Sequence, residues 1–444
     1  MAIDDATDYV AERARPRAAL PWEARFLLTL VLLALYHFGH RLPLPLVQGH
    51  FEELPGLASR INLLRFGFTP LFTGFLLVEL FSVATTPGRR LRQAGTVGRA
   101  SLNRAALGTS LVLAALQALA FAKALETMNS PAGEPFVAEP GLGFVLVTMA
   151  TVTAMTAAVF VLANLLSDYG IGNGFALLNL VELGRQVLGS WRTEPRLENG
   201  LAVPGFWLLG LAVLTVLLIR HLRGAEATHT PGFPQGIVPV MLTGALLAFL
   251  ISRYWGSVQG EPWMLYSALG LVAVALFSWL CFHLFSSRAR LEANLPEPAE
   301  VLDGLASLLR RRLPLATALL AAGTVGFIAW QRDILVSDLA TTGFVDLILG
   351  VTIGFDLVEQ YRFMKRNGPT ARLVQLDNVH FSYRLAARLE EEGIDALARG
   401  HVMRSLYFFF GPLYKIDVLV PEEDLEDARG VLAELEVARE VKVF

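Results

Sequence analysis

Glu79, Gln117, Asn164 and Asp346 stand inside long apolar stretches of a 444-residue chain. A polar side chain in such a stretch costs free energy unless it meets a partner, so these residues are the first candidates for chemistry. Glu79 could hydrogen-bond across to another helix or sit solvated at a helix end, and both readings stand. Asp356 lies nearer an end and reads as solvated. His37 and His40 could share a metal, but histidines where an apolar stretch meets water are usually interfacial. The run Gly170-Ile171-Gly172-Asn173-Gly174 has the look of a phosphate-cradling loop. It follows no strand and leads into an apolar stretch, so it reads as a tight turn whose glycines supply backbone freedom. No His-Glu-x-x-His and no Gly-x-Ser-x-Gly occurs. Cys281 is the single cysteine and lies in an apolar stretch, which excludes an intramolecular disulfide and a cysteine metal site. No catalytic residue, metal or cofactor is expected, and the chain does not read as an enzyme.

The elements that position these residues are ten apolar stretches at 26–42, 66–84, 104–124, 143–166, 174–190, 204–222, 236–254, 264–285, 314–331 and 341–362. Each is near the ~20 helical residues that cross a bilayer core. The chain is 54% hydrophobic and 17% charged, with a mean hydropathy of +0.50. Such a composition points to an all-α polytopic membrane protein. With the N-terminus inside, 19 basic residues fall in cytoplasmic segments and 9 on the opposite face. That bias places both termini in the cytoplasm. The first 25 residues show no cleavable signal peptide.

Two regions read as non-membrane. Residues 1–25 form a cytoplasmic arm, with a short helix over Tyr9–Ala14. After the breaker Asn367-Gly368-Pro369, residues 372–444 read as a soluble α+β domain. The expected order is strand 371–376, helix 381–392, strand 396–404, strand 414–420, helix 422–435 and strand 441–444. That order suggests a small ferredoxin-like sandwich.

The stretches carry a weak repeat. The second begins Gly67-Phe68-Thr69-Pro70 and the seventh begins Gly236-Ile237-Val238-Pro239. Each is second in a five-helix half, 26–190 or 191–366. An odd number of spans per half requires the halves to be inverted, and inverted halves commonly place a path at their interface. The same pattern also arises because Gly and Pro are common in membrane helices.

Four stretches resemble the SecY family of protein-conducting channels, in that family's order. They are "LYHFGHRLPLPLV" (35–47), "LRFGFTPLFTGFLLVELF" (64–81), "GRASLNRAALGTSLVLAALQALAFA" (98–122) and "PGLGFVLVTMATVTAMTAAVFVLANLLSDYGIGNGFALL" (140–178). "ATHTPGFPQGIVPVML" (227–242) adds a fainter likeness. The resemblance implies ten helices around an hourglass pore that opens sideways between helices 2/3 and 7/8. It implies an apolar ring at the waist, here Phe68, Phe72, Phe175, Met241 and Leu349, with Asn179 at a position that is usually apolar. Glu79 and Gln117 would stand at the lateral gate, and Gly170, Gly172, Asn173 and Gly174 would be a cytoplasmic turn. A polypeptide substrate, small SecE/SecG-like membrane subunits and a bacterial inner-membrane location follow from the same resemblance. No nucleic acid is expected beyond a ribosome. Departures bear on docking. The plug region between helices 1 and 2 is short, with Pro55-Gly56 inside it. The loop Arg220–Pro234 is brief and holds only Arg220 and Arg223 as basic residues, so docking to a ribosome or a SecA motor is doubtful.

The end of the chain has its own resemblance. "NVHFSYRLAARLEEEGIDA" (378–396) and "YKIDVLVPEEDLEDARGVLAEL" (414–435) are similar to a small bacterial domain described as a signal transducer. Three readings follow: a translocation channel subunit, a regulatory or assembly protein that signals through this domain, and a secondary transporter of a small solute.

Overall fold

The computed structural model describes residues 22–47, 61–93, 95–129, 135–182, 202–226, 230–240, 242–243, 246–247, 263–294, 298–334, 343–376, 378–407 and 413–441. Described residues up to 182 form one compact unit and those from 202 onward a second. The arm 1–21, the core of the plug region and the span 5–span 6 loop lie outside the described residues.

The described elements of the first unit are helices: α1 (Trp22–Gly39), α2 (Thr69–Ala84), α3 (Thr86–Gln93), α4 (Gly95–Glu126) and α5 (Leu142–Tyr169), then a helical run at 174–182. Pro70 sits in the first turn of α2, where a missing N–H costs nothing. α2 and α4 touch through small residues. A Cβ placed on Gly74 would lie 2.3 Å from Ser110 Oγ and 2.6 Å from Ser110 N, so only glycine allows this approach. The Ser110 hydroxyl donates to Ala106 O at 2.8 Å, keeping its polarity inside the helix. Several boundaries differ from expectation, and α4 begins at Gly95 rather than at 104. α1 begins and ends a few residues earlier than 26–42. The basic segment after Ala84, expected as loop, forms α3, with Pro87 in its first turn.

The second unit holds α6 (Ala202–Glu226), a helical start at 238–240, α7 (Trp263–Phe285), α8 (Arg288–Asn294), α9 (Ala299–Ile334) and α10 (Gly343–Asn367). Span 9, expected to begin at Pro314, is instead the later part of α9, which runs through that proline. One proline removes a single ladder donor, and a 36-residue helix tolerates the loss. Among the described residues three helical segments are long and apolar enough to cross a membrane: Ala100–Glu126, Leu142–Tyr169 and Ser267–Leu284.

The C-terminal region contains β1 (Thr370–Leu376), α11 (Val379–Glu391), β2 (Leu397–Arg399), α12 (His401–Leu406), β3 (Ile416–Pro421) and α13 (Leu425–Val441). The sheet order is β1-β3-β2, with β3 antiparallel to both neighbours. Val374 stands opposite Val418, and Leu397 opposite Leu419. β1 and β2 therefore run the same way with β3 between them, a split β-α-β arrangement. Asn378 caps α11: its Oδ1 accepts the His380 and Phe381 amides at 3.0 and 3.2 Å. The strand expected over 396–404 stops at Arg399. Gly400 turns with φ +80°, and the rest becomes α12. Val441, expected to open a last strand, closes α13 instead, and 442–444 lie outside the described residues.

The core of this region is continuous with the helices before it. Leu373, Phe381, Leu385, Leu389, Val418 and Val420 share one buried cluster with Phe282, Leu291, Leu302 and Leu309 from α7, α8 and α9.

Candidate functional site

Three of the expected waist residues come together in the first unit. The Phe68 ring centroid lies 5.9 Å from Phe72 and 6.1 Å from Phe175. Separations in that range are typical of paired aromatic rings. Tyr36, Phe75 and Phe160 extend the cluster: Tyr36 sits 6.0 Å from Phe68, Phe160 sits 5.9 Å from Phe175, and Phe75 stacks on Phe160 at 6.4 Å. Those three were not singled out from sequence, because one aromatic residue in an apolar helix looks like any other. Phe68 and Phe175 are buried and Phe72 is half-buried. Asn179, one turn beyond Phe175 in the same helical run, is half-buried. In the second unit Leu349 of α10 is fully buried. Met241 lies outside the described residues.

The Gly170–Gly174 turn is held by side chains from two other places. Thr29 of α1 offers its hydroxyl oxygen to the Ile171 amide at 3.0 Å, across 142 residues of chain. Ser167 accepts the Gly174 amide at 2.8 Å. Asn173 caps the next helix, its Oδ1 accepting the Ala176 amide at 3.1 Å. Gly172 has φ +69°, which favours glycine. Gly174 is required by space: a Cβ there would come within 2.0 Å of Ala163 O. The amides of Gly170, Ile171 and Gly174 are bonded within the protein, to Leu166 O, Thr29 and Ser167, which fits a structural turn. Thr29 escaped the sequence reading, although a threonine in an apolar helix was its signal.

Glu79 is 3% exposed, which corrects the reading of it as solvated. The Ser82 hydroxyl donates to Glu79 O at 2.7 Å and lies 3.4 Å from Glu79 Oε2. Gln117 is half-buried, and its Oε1 is buried without a hydrogen-bond donor. Asn164 donates to Phe160 O at 2.8 Å within its own helix. The side chain of Asp346 lies outside the described set. His37 is exposed and His40 buried, so the two do not face one site. His40 Nε2 approaches Glu182 Oε2 at 3.0 Å without hydrogen-bond geometry. Among the described residues no cluster of three or more His, Cys, Asp or Glu could hold a metal.

In the second unit every residue from Thr230 to Val240 is buried. Ser286 donates to Pro234 O at 2.6 Å, and His221 Nε2 lies 2.6 Å from Gly232 O. Arg312 Nη2 donates to Gly224 O at 2.6 Å. The Ile237 amide donates to Leu406 O of α12 at 2.8 Å.

The sheet of the C-terminal region carries one buried charge cluster. Asp417 on β3 pairs with Arg399 on β2, accepts from Gln375 Nε2 at 2.9 Å, and lies 3.6 Å from Arg372 Nη1. Burial alone would raise the Asp417 carboxyl. Arg399, Arg372 and the Gln375 amide outweigh it and hold the group below the usual carboxylate range.

The SecY family model matches residues 62–358. A second family, described as "Putative prokaryotic signal transducing protein", matches 377–436. The protein translocase subunit SecY of Aquifex aeolicus is 27% identical over 172 residues, which are 35% of this chain and 40% of that protein. That of Rickettsia felis is 24% identical over 268 residues, 51% of this chain and 62% of that protein. The chain thus spans about 40% to 62% of the length of these relatives. A solved structure, "The structure of a protein conducting channel", aligns with a TM-score of 0.43 at 14% identity, covering 82% of this chain and 98% of that one. This is a mostly helical, polytopic membrane protein. With two thirds of its length inside one family model, the chain belongs to the SecY family.

Proposed function

We propose that this chain is a translocation channel subunit that passes polypeptide across a membrane or releases it sideways into lipid. The observation that carries the reading is the Phe68–Phe72–Phe175 cluster within a chain of this family. An apolar waist blocks water and ions by dewetting yet deforms around a peptide. In this reading Phe68, Phe72, Phe175, Met241 and Leu349 line the waist, Asn179 softens it, and Glu79 and Gln117 belong to the lateral gate. The ten spans lie in two inverted halves, 26–190 and 191–366, with 1–25 and a ferredoxin-like 372–444 on the cytoplasmic side. The location is the bacterial inner membrane, with both termini cytoplasmic.

The partners proposed are a polypeptide substrate and small SecE/SecG-like membrane subunits. Binding to a ribosome or a SecA-type motor is weak in this reading. The loop after α6 has few basic residues, and its described end is buried. Ribosomal RNA attracts proteins largely through Lys and Arg.

The test is the purified full-length chain in liposomes. Movement of an unfolded polypeptide supports the channel. A small-solute flux without polypeptide movement would make it a transporter. A second reading, a regulatory protein that keeps the fold, is favoured by the core shared between the C-terminal region and α7–α9. No transport of either kind, together with a partner captured through 372–444, would favour it.

A further inference from the structure

One short helix of the C-terminal region reaches two other helical segments of its own unit. The last residue of α12, Leu406, accepts the Ile237 amide at 2.8 Å. The sulfur of Met403, one turn earlier, lies 2.9 Å from the Thr352 hydroxyl of α10. Both contacts are buried: Ile237 and Leu406 are 0% exposed, Met403 and Thr352 1%.

The first contact joins two helix ends. Ile237 immediately precedes the helical start at 238, so its N–H has no partner inside that helix. Leu406 ends α12, so its carbonyl is unused there. Each supplies what the other lacks. The carbonyl end of α12 meets the amide end of the helical start at 238, which favours the same arrangement. The second contact bears on α10. The Thr352 hydroxyl also lies 2.8 Å from Ile348 O and 2.9 Å from Leu349 O, one turn back.

One contact point stands within a helical turn of a residue assigned to the waist: Leu349 is three residues before Thr352, and the Thr352 hydroxyl lies 2.9 Å from its carbonyl. Leu349, Thr352 and Met403 are all buried, and close-packed side chains transmit a displacement rather than absorb it. We infer that Met403 is a positioning residue for the apolar waist, through which the C-terminal region sets the placement of Leu349. The inference rests on the channel reading. It adds that the signal-transducer-like region controls how tightly the waist closes.

The test uses full-length protein in liposomes and reads ion leak in the absence of substrate. Met403→Ala removes the sulfur and its volume, and Met403→Leu keeps the volume. Thr352→Val removes the hydroxyl alone and serves if Met403→Ala fails to fold. The expected result is a several-fold rise in leak for Met403→Ala, a smaller rise for Thr352→Val, and near-normal leak for Met403→Leu. Thr29→Val, which loosens the other unit, is the comparison for general destabilisation. An equal leak from Thr29→Val at equal loss of thermal stability would overturn the inference. So would unchanged leak in both Met403→Ala and Thr352→Val while Leu349→Gly leaks, and the waist itself would then stand. If Leu349→Gly and Phe68→Gly both leave the leak unchanged, the channel reading fails and takes the inference with it.

Discussion

Gly67 and Gly236 hold the same turn. Their φ angles are +45° and +67°, and each donates its amide to the carbonyl three residues back, Leu64 O at 2.8 Å and Phe233 O at 2.9 Å. Each is followed at i+3 by a proline, Pro70 or Pro239, in the first turn of a helix. One turn later a threonine bonds back in both, Thr73 to Thr69 O and Thr243 to Pro239 O, at 2.8 Å each. This likeness supports the reading of two related halves. A non-glycine residue in the left-handed region costs about 1–2 kcal/mol. Gly67→Ala and Gly236→Ala should therefore each lose about that much, which thermal unfolding in detergent would measure. A loss at one site and none at the other would break the equivalence.

Thr29 and Gly174 fix the turn between α5 and the next helix. Thr29→Val removes one acceptor and should cost about 1 kcal/mol. Gly174→Ala should cost more, about 1–3 kcal/mol, because its Cβ meets backbone rather than a movable side chain. Melting temperatures rank the two. A Gly174→Ala protein as stable as the parent would contradict the turn's geometry.

Gly74→Ala should push α2 and α4 apart, since Ser110 backbone atoms lie 2.6 and 2.7 Å from the new Cβ. The paired change Gly74→Ala with Ser110→Gly removes only the Oγ contact and should recover little of the loss, because the backbone of residue 110 stays in place. A Gly74→Ala protein as stable as the parent would show that the close approach does not limit stability.

Asp417 has a depressed carboxyl pKa in the folded chain. A depressed group stabilises above its unfolded value, ~3.9, and that contribution is lost as pH falls through the lower folded value. The C-terminal region should hold through mild acid and loosen below about pH 4. Asp417→Asn leaves Arg399 and Arg372 without their buried counter-charge and should cost about 3–5 kcal/mol. Near-ultraviolet circular dichroism against pH, parent beside variant, checks both statements.

The waist makes its own prediction. Replacing Phe68 and Phe72 together with serine should raise ion leak through reconstituted protein several-fold, since polar side chains let water stay. Unchanged conductance would describe a solid bundle.

Apolar length and the placement of basic residues set an expected topology that only labelling of the two faces tests. Reporter fusions at 130 and 444 should give opposite sides, with 444 cytoplasmic. The turn at 170–174 was legible because glycine and asparagine advertise their geometry locally. The partners that hold it, Thr29 and Ser167, were not, because tertiary contacts leave no periodic mark. Glu79 stayed open between a buried and a solvated reading because position along a helix says nothing about which face is covered. The start of α12 was hidden inside an apparent strand because a short apolar run such as Val402-Met403 suits either element, and the turn at Gly400 separates the two.

The shared cluster of Phe282, Leu291, Leu302 and Leu309 with Leu373 to Leu432 has a consequence for biosynthesis. The ends of α7 to α9 are made long before the strands and helices that cover them. Until residues through Leu432 have left the ribosome, those ends carry an uncovered apolar surface. A chain cut short after α10 would keep that surface bare and open to chaperones and proteases.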